Sequence, residues 1–299
     1  MMTFEEFKAE VKAKILGYLT SDFQNVKIER IQKNNGVSYD GLVVTMTQGE
    51  LVPILRLEAY YRDYESGMDF EKVLLAISEK LHEELENGKE IKGRFDEITD
   101  FEKVRDRILP KLINATENEA LLQNVPHRRI ADLAVIYQIQ LERIEENTAF
   151  AKITKSLMDM YGVTADELHQ LAVENLEESY EIEFMGLIQK VMGAIYDLDK
   201  PEEPEPMNVL SVPNYYCGAA AVLSEKTMES VCDKIGEKFY ILPASIGEVI
   251  VVPSSLGTVD ELKGIVRSVN TESVDAEEKL SDEVYVYDRK NKEIRIAEF

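Results

Sequence analysis

Residues Ala131 to Ile139 read Ala-Asp-Leu-Ala-Val-Ile-Tyr-Gln-Ile. An almost wholly apolar run of this length reads as a strand covered on both faces, and so as a central strand of a sheet. The fold must supply neighbours for it, and the rest of the chain offers both hairpins and helices.

The helical signals are local. Thr3 with Glu6 forms a capping-box pattern, followed at helical spacing by Phe4, Phe7, Val11, Ile15 and Tyr18. Thr164 with Glu167 repeats the pattern ahead of Leu168, Leu171, Ala172 and Leu176. Asp69 opens a helix whose stripe is Phe70, Val73, Leu74, Ile77, Leu81 and Leu85, with Asn87-Gly88 as its stop. Phe184 to Tyr196 reads as another helix. Met228, Val231, Cys232 and Ile235 share one helical face, and Thr258 opens a helix through Leu262, Ile265 and Val266.

Strand signals stand between them. Val26 to Ile31 and Leu42 to Met46 flank the turn Asn34-Asn35-Gly36. Asn208 to Val212 and Tyr216 to Leu223 read as strands. Phe239 to Leu242 pairs with Glu248 to Val252 around Gly247. Val284 to Tyr287 and Ile294 to Ile296 make a terminal hairpin, which can pack on the body of the protein or on a second subunit. Hairpins mixed with separated helices predict an α+β fold of mixed or antiparallel sheets with flanking helices. The 299 residues suffice for one large or two modest domains. The expected division is a helix–hairpin–helix region at 1–92 and a larger α+β domain at 93–299. An exposed, acidic, proline-rich loop is expected at 197–206 (DLDKPEEPEP).

Asp and Glu number 57 against 34 Lys and Arg, a formal charge of −23. Such a surface repels nucleic-acid phosphates and anionic membranes and suits basic protein partners. The acidic start and the lack of a long apolar stretch predict neither leader nor membrane span. Cys217 and Cys232 then read as reduced thiols of a cytoplasmic protein.

Catalytic templates fail in turn. His82, His127 and His169 are scattered, no C-x-x-C pair exists, and no metal site is expected. Phosphate-binding glycine loops and the G-x-S-x-G elbow are missing, so no cofactor is expected. The unusual feature is Val125-Pro126-His127-Arg128-Arg129, a basic cluster read as a loop at the end of the apolar strand. Arg128 and Arg129 are candidate ligand-binding groups for carboxylate or phosphate; the alternative is pairing with the protein's own acids. His127 is a candidate catalytic imidazole, with Cys217 or Glu248 as its partner. The structural alternatives are a core thiol for Cys217 and a partly buried strand carboxylate for Glu248. Asn175, on the apolar side of its helix, reads as a buried polar tie.

The turn Asn34-Asn35-Gly36, the VPHRR segment, DLAVIYQI, the helix ending Glu174-Asn175-Leu176 and the block Tyr240 to Pro253 (YILPASIGEVIVVP) together resemble domain-of-unknown-function family 5688, from gut Clostridia. The likeness covers nearly the whole chain and is most specific at Tyr240–Pro253. From about Ala131 to Pro253 the order of elements is also similar to an uncharacterised ytpQ-like family of Bacillus. The resemblance implies a cytoplasmic bacterial protein with no assigned activity and no catalytic residues to carry over. Three readings of function follow: a non-catalytic interaction or accessory protein, a hydrolase or transferase centred on His127, and an acidic mimic of DNA.

Overall fold

The computed structural model describes residues 1–20, 23–46, 54–144, 147–193, 205–213 and 215–298, and at 46, 85–96, 142–144 and 147–148 the backbone alone. Helices and three antiparallel sheets make an α+β protein. The chain divides into two compact units, Met1–Ile98 with Ile144–Asn147, and Thr99–Arg143 with Thr148–Phe299.

The first unit begins with α1 (Phe4–Lys14). Its capping box is formed: Thr3 Oγ1 accepts from the Glu6 amide, and Glu6 accepts from the Thr3 amide. Strands β1 (Phe23–Gln32) and β2 (Ser38–Met46) pair with Ile28 opposite Leu42, and β3 (Leu55–Arg56) adds to β2. Asn35 (φ 57°) and Gly36 (φ 68°) take the left-handed backbone that closes this hairpin. Next come α2 (Leu57–Glu65) and α3 (Phe70–Glu97). Phe7, Val11 and Ile15 bury against Val73, Leu74 and Ile77 in one core. The expected stop at Asn87-Gly88 is not used, because α3 continues through it. A glycine inside a helix costs about 1 kcal/mol relative to alanine. The helix formers that follow, Lys89-Glu90-Ile91-Lys92, keep the backbone helical. The side chain of Leu85, in the expected stripe, lies outside the described residues.

The second unit holds α4 (Phe101–Val104), β4 (Ile108–Asn114), α5 (Glu119–Leu122), β5 (His127–Ile130), β6 (Leu133–Ile144) and β7 (Asn147–Lys152). It continues with α6 (Lys155–Tyr161), α7 (Ala165–Ser179), β8 (Glu183–Gly186), α8 (Leu187–Gly193) and β9 (Asn208–Ser211). After a 3₁₀ segment (Gly218–Leu223) come α9 (Glu225–Ile235), β10 (Lys238–Leu242), β11 (Glu248–Pro253), α10 (Val259–Glu272), β12 (Tyr285–Asp288) and β13 (Glu293–Ile296).

The apolar run is the middle of its sheet, with β6 between β4 and β5. Alternation sends Leu133, Val135, Tyr137 and Ile139 to one face and Ala134, Ile136 and Gln138 to the other, and all seven are buried. Helix α7 covers β4: Asn175, buried on its inner side, donates to the carbonyls of Arg105 (2.6 Å) and Ile108 (2.9 Å). Across the other face, Tyr215 donates to the Pro110 carbonyl at 2.7 Å and accepts from Gln138 at 3.1 Å.

The second sheet runs β13-β12-β10-β11-β9-β8. The block Tyr240–Pro253 is therefore the hairpin at its centre, with Ile241 opposite Val251. Leu262 and Val266 of α10 pack on Leu242, Val252 and Val286 of this sheet.

Three readings of the sequence change in this unit. The VPHRR segment is not a loop: His127–Ile130 pairs with β6, His127 opposite Ile136. Tyr216–Leu223 is not a strand. A Cβ on Gly218 would stand 2.3 Å from the Gly247 carbonyl oxygen, and Ala219, Ala220 and Ala221 are fully buried. Small side chains without β-branching let the 3₁₀ segment lie against the Gly247 turn, where a strand of larger residues would not fit. The helix expected from Phe184 begins at Leu187, because Glu183–Gly186 pairs with β9. Residues 194–196 of that expected helix, and 197–204 of the expected acidic loop, lie outside the described residues.

Candidate functional site

The candidates named from sequence are dispersed. His127 Nδ1 donates to the carbonyl of Val125, two residues back, at 3.1 Å. Alternation along β5 puts His127 and Arg129 on the face of Ile136 and Ala134. Arg128 lies on the opposite face, where its charge reaches Tyr137 and His169. Neither Arg128 nor Arg129 makes an ion pair among the described residues, although acids outnumber bases throughout the chain. Cys217 is fully buried, with Gln138 Nε2 3.6 Å from its sulfur. Burial pushes this thiol above its ordinary pKa, opposite to what a nucleophile requires. Glu248 ion-pairs Lys190 at 2.5 Å. No hydrogen bond or ion pair among the described residues joins any two of His127, Arg128, Arg129, Cys217 and Glu248.

Two polar constellations were not foreseen. Lys190 bridges Glu248 and Ser211 Oγ (3.3 Å), a lysine–serine contact of the kind some hydrolases use. Here the ammonium is held by a carboxylate and Ser211 is 7% exposed, so the set ties α8 to β9 and β11. Tyr137, buried, meets His169 Nδ1 at 3.2 Å beneath α7. Burial raises the tyrosine pKa and lowers that of the imidazole. No group of His, Cys, Asp or Glu among the described residues is placed to hold a metal.

A substantial concavity lies elsewhere. A groove of about 1250 Å³ lies between β8 and α9. Its apolar surface includes Ile182, Phe184, Met185, Val231 and Ile235. Glu177, Glu181 and Glu183 stand on the side of α7 and β8, Lys226 and Lys234 on the side of α9. The Lys234 ammonium sits 5.0 Å from the Phe184 ring centroid. Glu205 closes one end: its carboxylate accepts from the amides of Ile188 (2.6 Å) and Gln189 (2.9 Å). It occupies the space a Cβ on Gly186 would fill, so a larger residue there would have to displace this carboxylate.

Among the described residues, strand β8 is the last of its sheet, paired with β9 alone. The same register continues to Leu187, whose amide donates to Met207 O at 2.9 Å. In an antiparallel ladder, residues alternate between exchanging bonds with the partner strand and turning their polar groups away. Glu183 and Met185 therefore bond to β9. Phe184 and Gly186 direct their N–H and C=O groups away from it, and these groups have no ladder partner among the described residues. The sequence signal for this edge is the glycine after Glu-Phe-Met, a break that a continuous helix from Phe184 overrides.

No helix among the described residues is long and apolar enough to cross a membrane. The profile of a family of unknown function (DUF5688) matches residues 4–289. No curated protein and no solved structure matches the chain.

Proposed function

The chain belongs to the family of unknown function DUF5688, and we propose that it is a non-catalytic interaction protein of the cytoplasm. It seats an extended stretch of a partner polypeptide in the groove between β8 and α9. The observation that carries this reading is the outward-turned backbone at Phe184 and Gly186, at the end of a six-stranded sheet and lining the groove. An exposed edge is a template for one more strand, which supplies main-chain hydrogen bonds while flanking side chains select the sequence. The groove exceeds the roughly 300–1,000 Å³ of small-molecule sites. It mixes apolar floor with charged walls, as a surface for polypeptide does.

Two further facts support the reading. His127 Nδ1, the Cys217 sulfur and one Glu248 carboxylate oxygen are engaged by separate neighbours. Both cysteines are buried and free, which suits a reducing compartment.

Ser230 lines the groove from an exposed position on α9, so Ser230→Trp fills the groove without entering the core. Random peptides selected on the wild-type chain should lose binding to Ser230→Trp. Selected peptides that bind both proteins equally would place the interaction elsewhere and refute the reading.

A further inference from the structure

Resting on the groove as a seat for an added strand, we infer that its occupant is a basic segment, with Lys or Arg on the side chains that face Glu181 and Glu183. Alternation along β8 puts Phe184 and Gly186 toward one face of the sheet and Glu183 and Met185 toward the other. Lys234 over Phe184 marks the first as the α9 face. An added strand has the same period of two, so one set of its side chains meets Phe184 and the α9 lysines. The other set lies beside Glu183 and Met185.

The charges then assign the occupant. Glu177, Glu181 and Glu183 have no cation in ion-pair range among the described residues, and Glu205 is already held by two backbone amides. Among the described residues, three carboxylates without an ion pair therefore stand against two lysines, one of which covers an aromatic ring. Like charges opposite one another on adjacent strands destabilise pairing, and opposite charges stabilise it. The net charge of −23 acts in the same direction at longer range: it attracts a basic segment and repels a second copy of this chain. Ile188 and Val191, exposed on α8 directly after β8, give an apolar continuation for the end of such a segment.

The test uses the full chain and fluorescein-labelled peptides of about ten residues, one alternating lysine with valine and one alternating glutamate with valine. Fluorescence anisotropy should show binding of the lysine peptide alone, weakening as salt is raised. Glu181→Gln combined with Glu183→Gln should weaken it by roughly three- to tenfold, as expected for two partly exposed ion pairs. Equal binding by this variant, or preference for the glutamate peptide, overturns the basic occupant. The seat itself is read separately, with lysine peptide N-methylated at alternate amides. Loss of binding supports strand addition; unchanged binding overturns it and the inference together. A glutamate peptide that binds, and is lost on N-methylation and on Ser230→Trp, keeps the seat and removes the basic occupant. Sedimentation of the free chain reads the competing occupant: a dimer that dissociates as peptide binds would assign the edge to a second copy.

Discussion

Asp132 holds two buried hydroxyl groups, and replacing it should be among the costliest single changes in the second unit. Its Oδ1 accepts from Tyr285 at 2.6 Å and its Oδ2 from Ser281 Oγ at 2.7 Å. Both hydroxyl-bearing residues are 1% exposed. Burial, and then the Asp132 charge, raise the Tyr285 pKa far above the ordinary range, so the phenol remains a donor. Asp132→Ala leaves two donors without an acceptor. A buried polar group left unpaired costs about 1–3 kcal/mol. Asp132 is only half-buried, so water can enter beside it, and the sum comes to roughly 3 kcal/mol rather than the upper limit. For a domain of about 150–250 residues this lowers the melting temperature by roughly 6–12 °C. Tyr285→Phe removes one donor and leaves an acceptor that water can reach, for about 1 kcal/mol. The double variant should cost clearly less than the sum of the two. The chain has no tryptophan, so far-UV circular dichroism under urea and heat is the practical assay. An Asp132→Ala protein within about 0.5 kcal/mol of wild type, with additive behaviour in the double variant, would refute this account of the contact.

Gly218→Ala should destabilise by about 3 kcal/mol or prevent folding, because the added carbon meets backbone on two sides, at Gly247 O and Val212 N; a melt within 2 °C of wild type would show that the 3₁₀ segment shifts freely. Burial lowers the His169 pKa from its ordinary 6.5, with the nearby Arg128 charge acting the same way and Asp166 opposing it. The unfolded chain therefore takes up the proton first, and stability should fall as pH drops below about 6.5 toward the folded-state value. Urea midpoints from pH 7.5 to 5 should show a shallower dependence in His169→Asn, and an unchanged slope would contradict this. Cys217 should resist a disulfide reagent in the native protein and react only on unfolding, since it is fully buried with its pKa raised. Labelling at the rate of a free thiol would reopen a role as nucleophile.

Much of the fold was legible because its signals are local. Thr3–Glu6 and Thr164–Glu167 form the capping boxes their spacing suggests, and Thr258, read as opening a helix, proves to cap it through Glu261. The run at Leu133–Ile139 is central because its apolar residues can be buried on both faces. The misreadings occurred where tertiary contact overrode local pattern. Gly218–Leu223 is apolar enough for a strand, but close approach to Gly247 selects small residues in a 3₁₀ turn. His127–Arg129 is charged enough for a loop, yet an edge strand tolerates long charged side chains and even benefits from them. Glu183–Gly186 hid inside an apparent helix, and with it the groove, because a four-residue strand spans barely one helical turn, too short to set its period of two apart from a helical one. The candidate site therefore depends on pairing between β8 and β9, separated in sequence, which local pattern does not encode.

The most direct test of the proposed strand seat is hydrogen–deuterium exchange of the full chain, resolved at single amides, with and without the lysine–valine peptide. The account predicts slowed exchange at the Phe184 and Gly186 amides, with Glu183 and Met185, already bonded to β9, unchanged. Protection confined to β5 around Arg128 and Arg129, or spread evenly over acidic surface with none at Phe184, would contradict it.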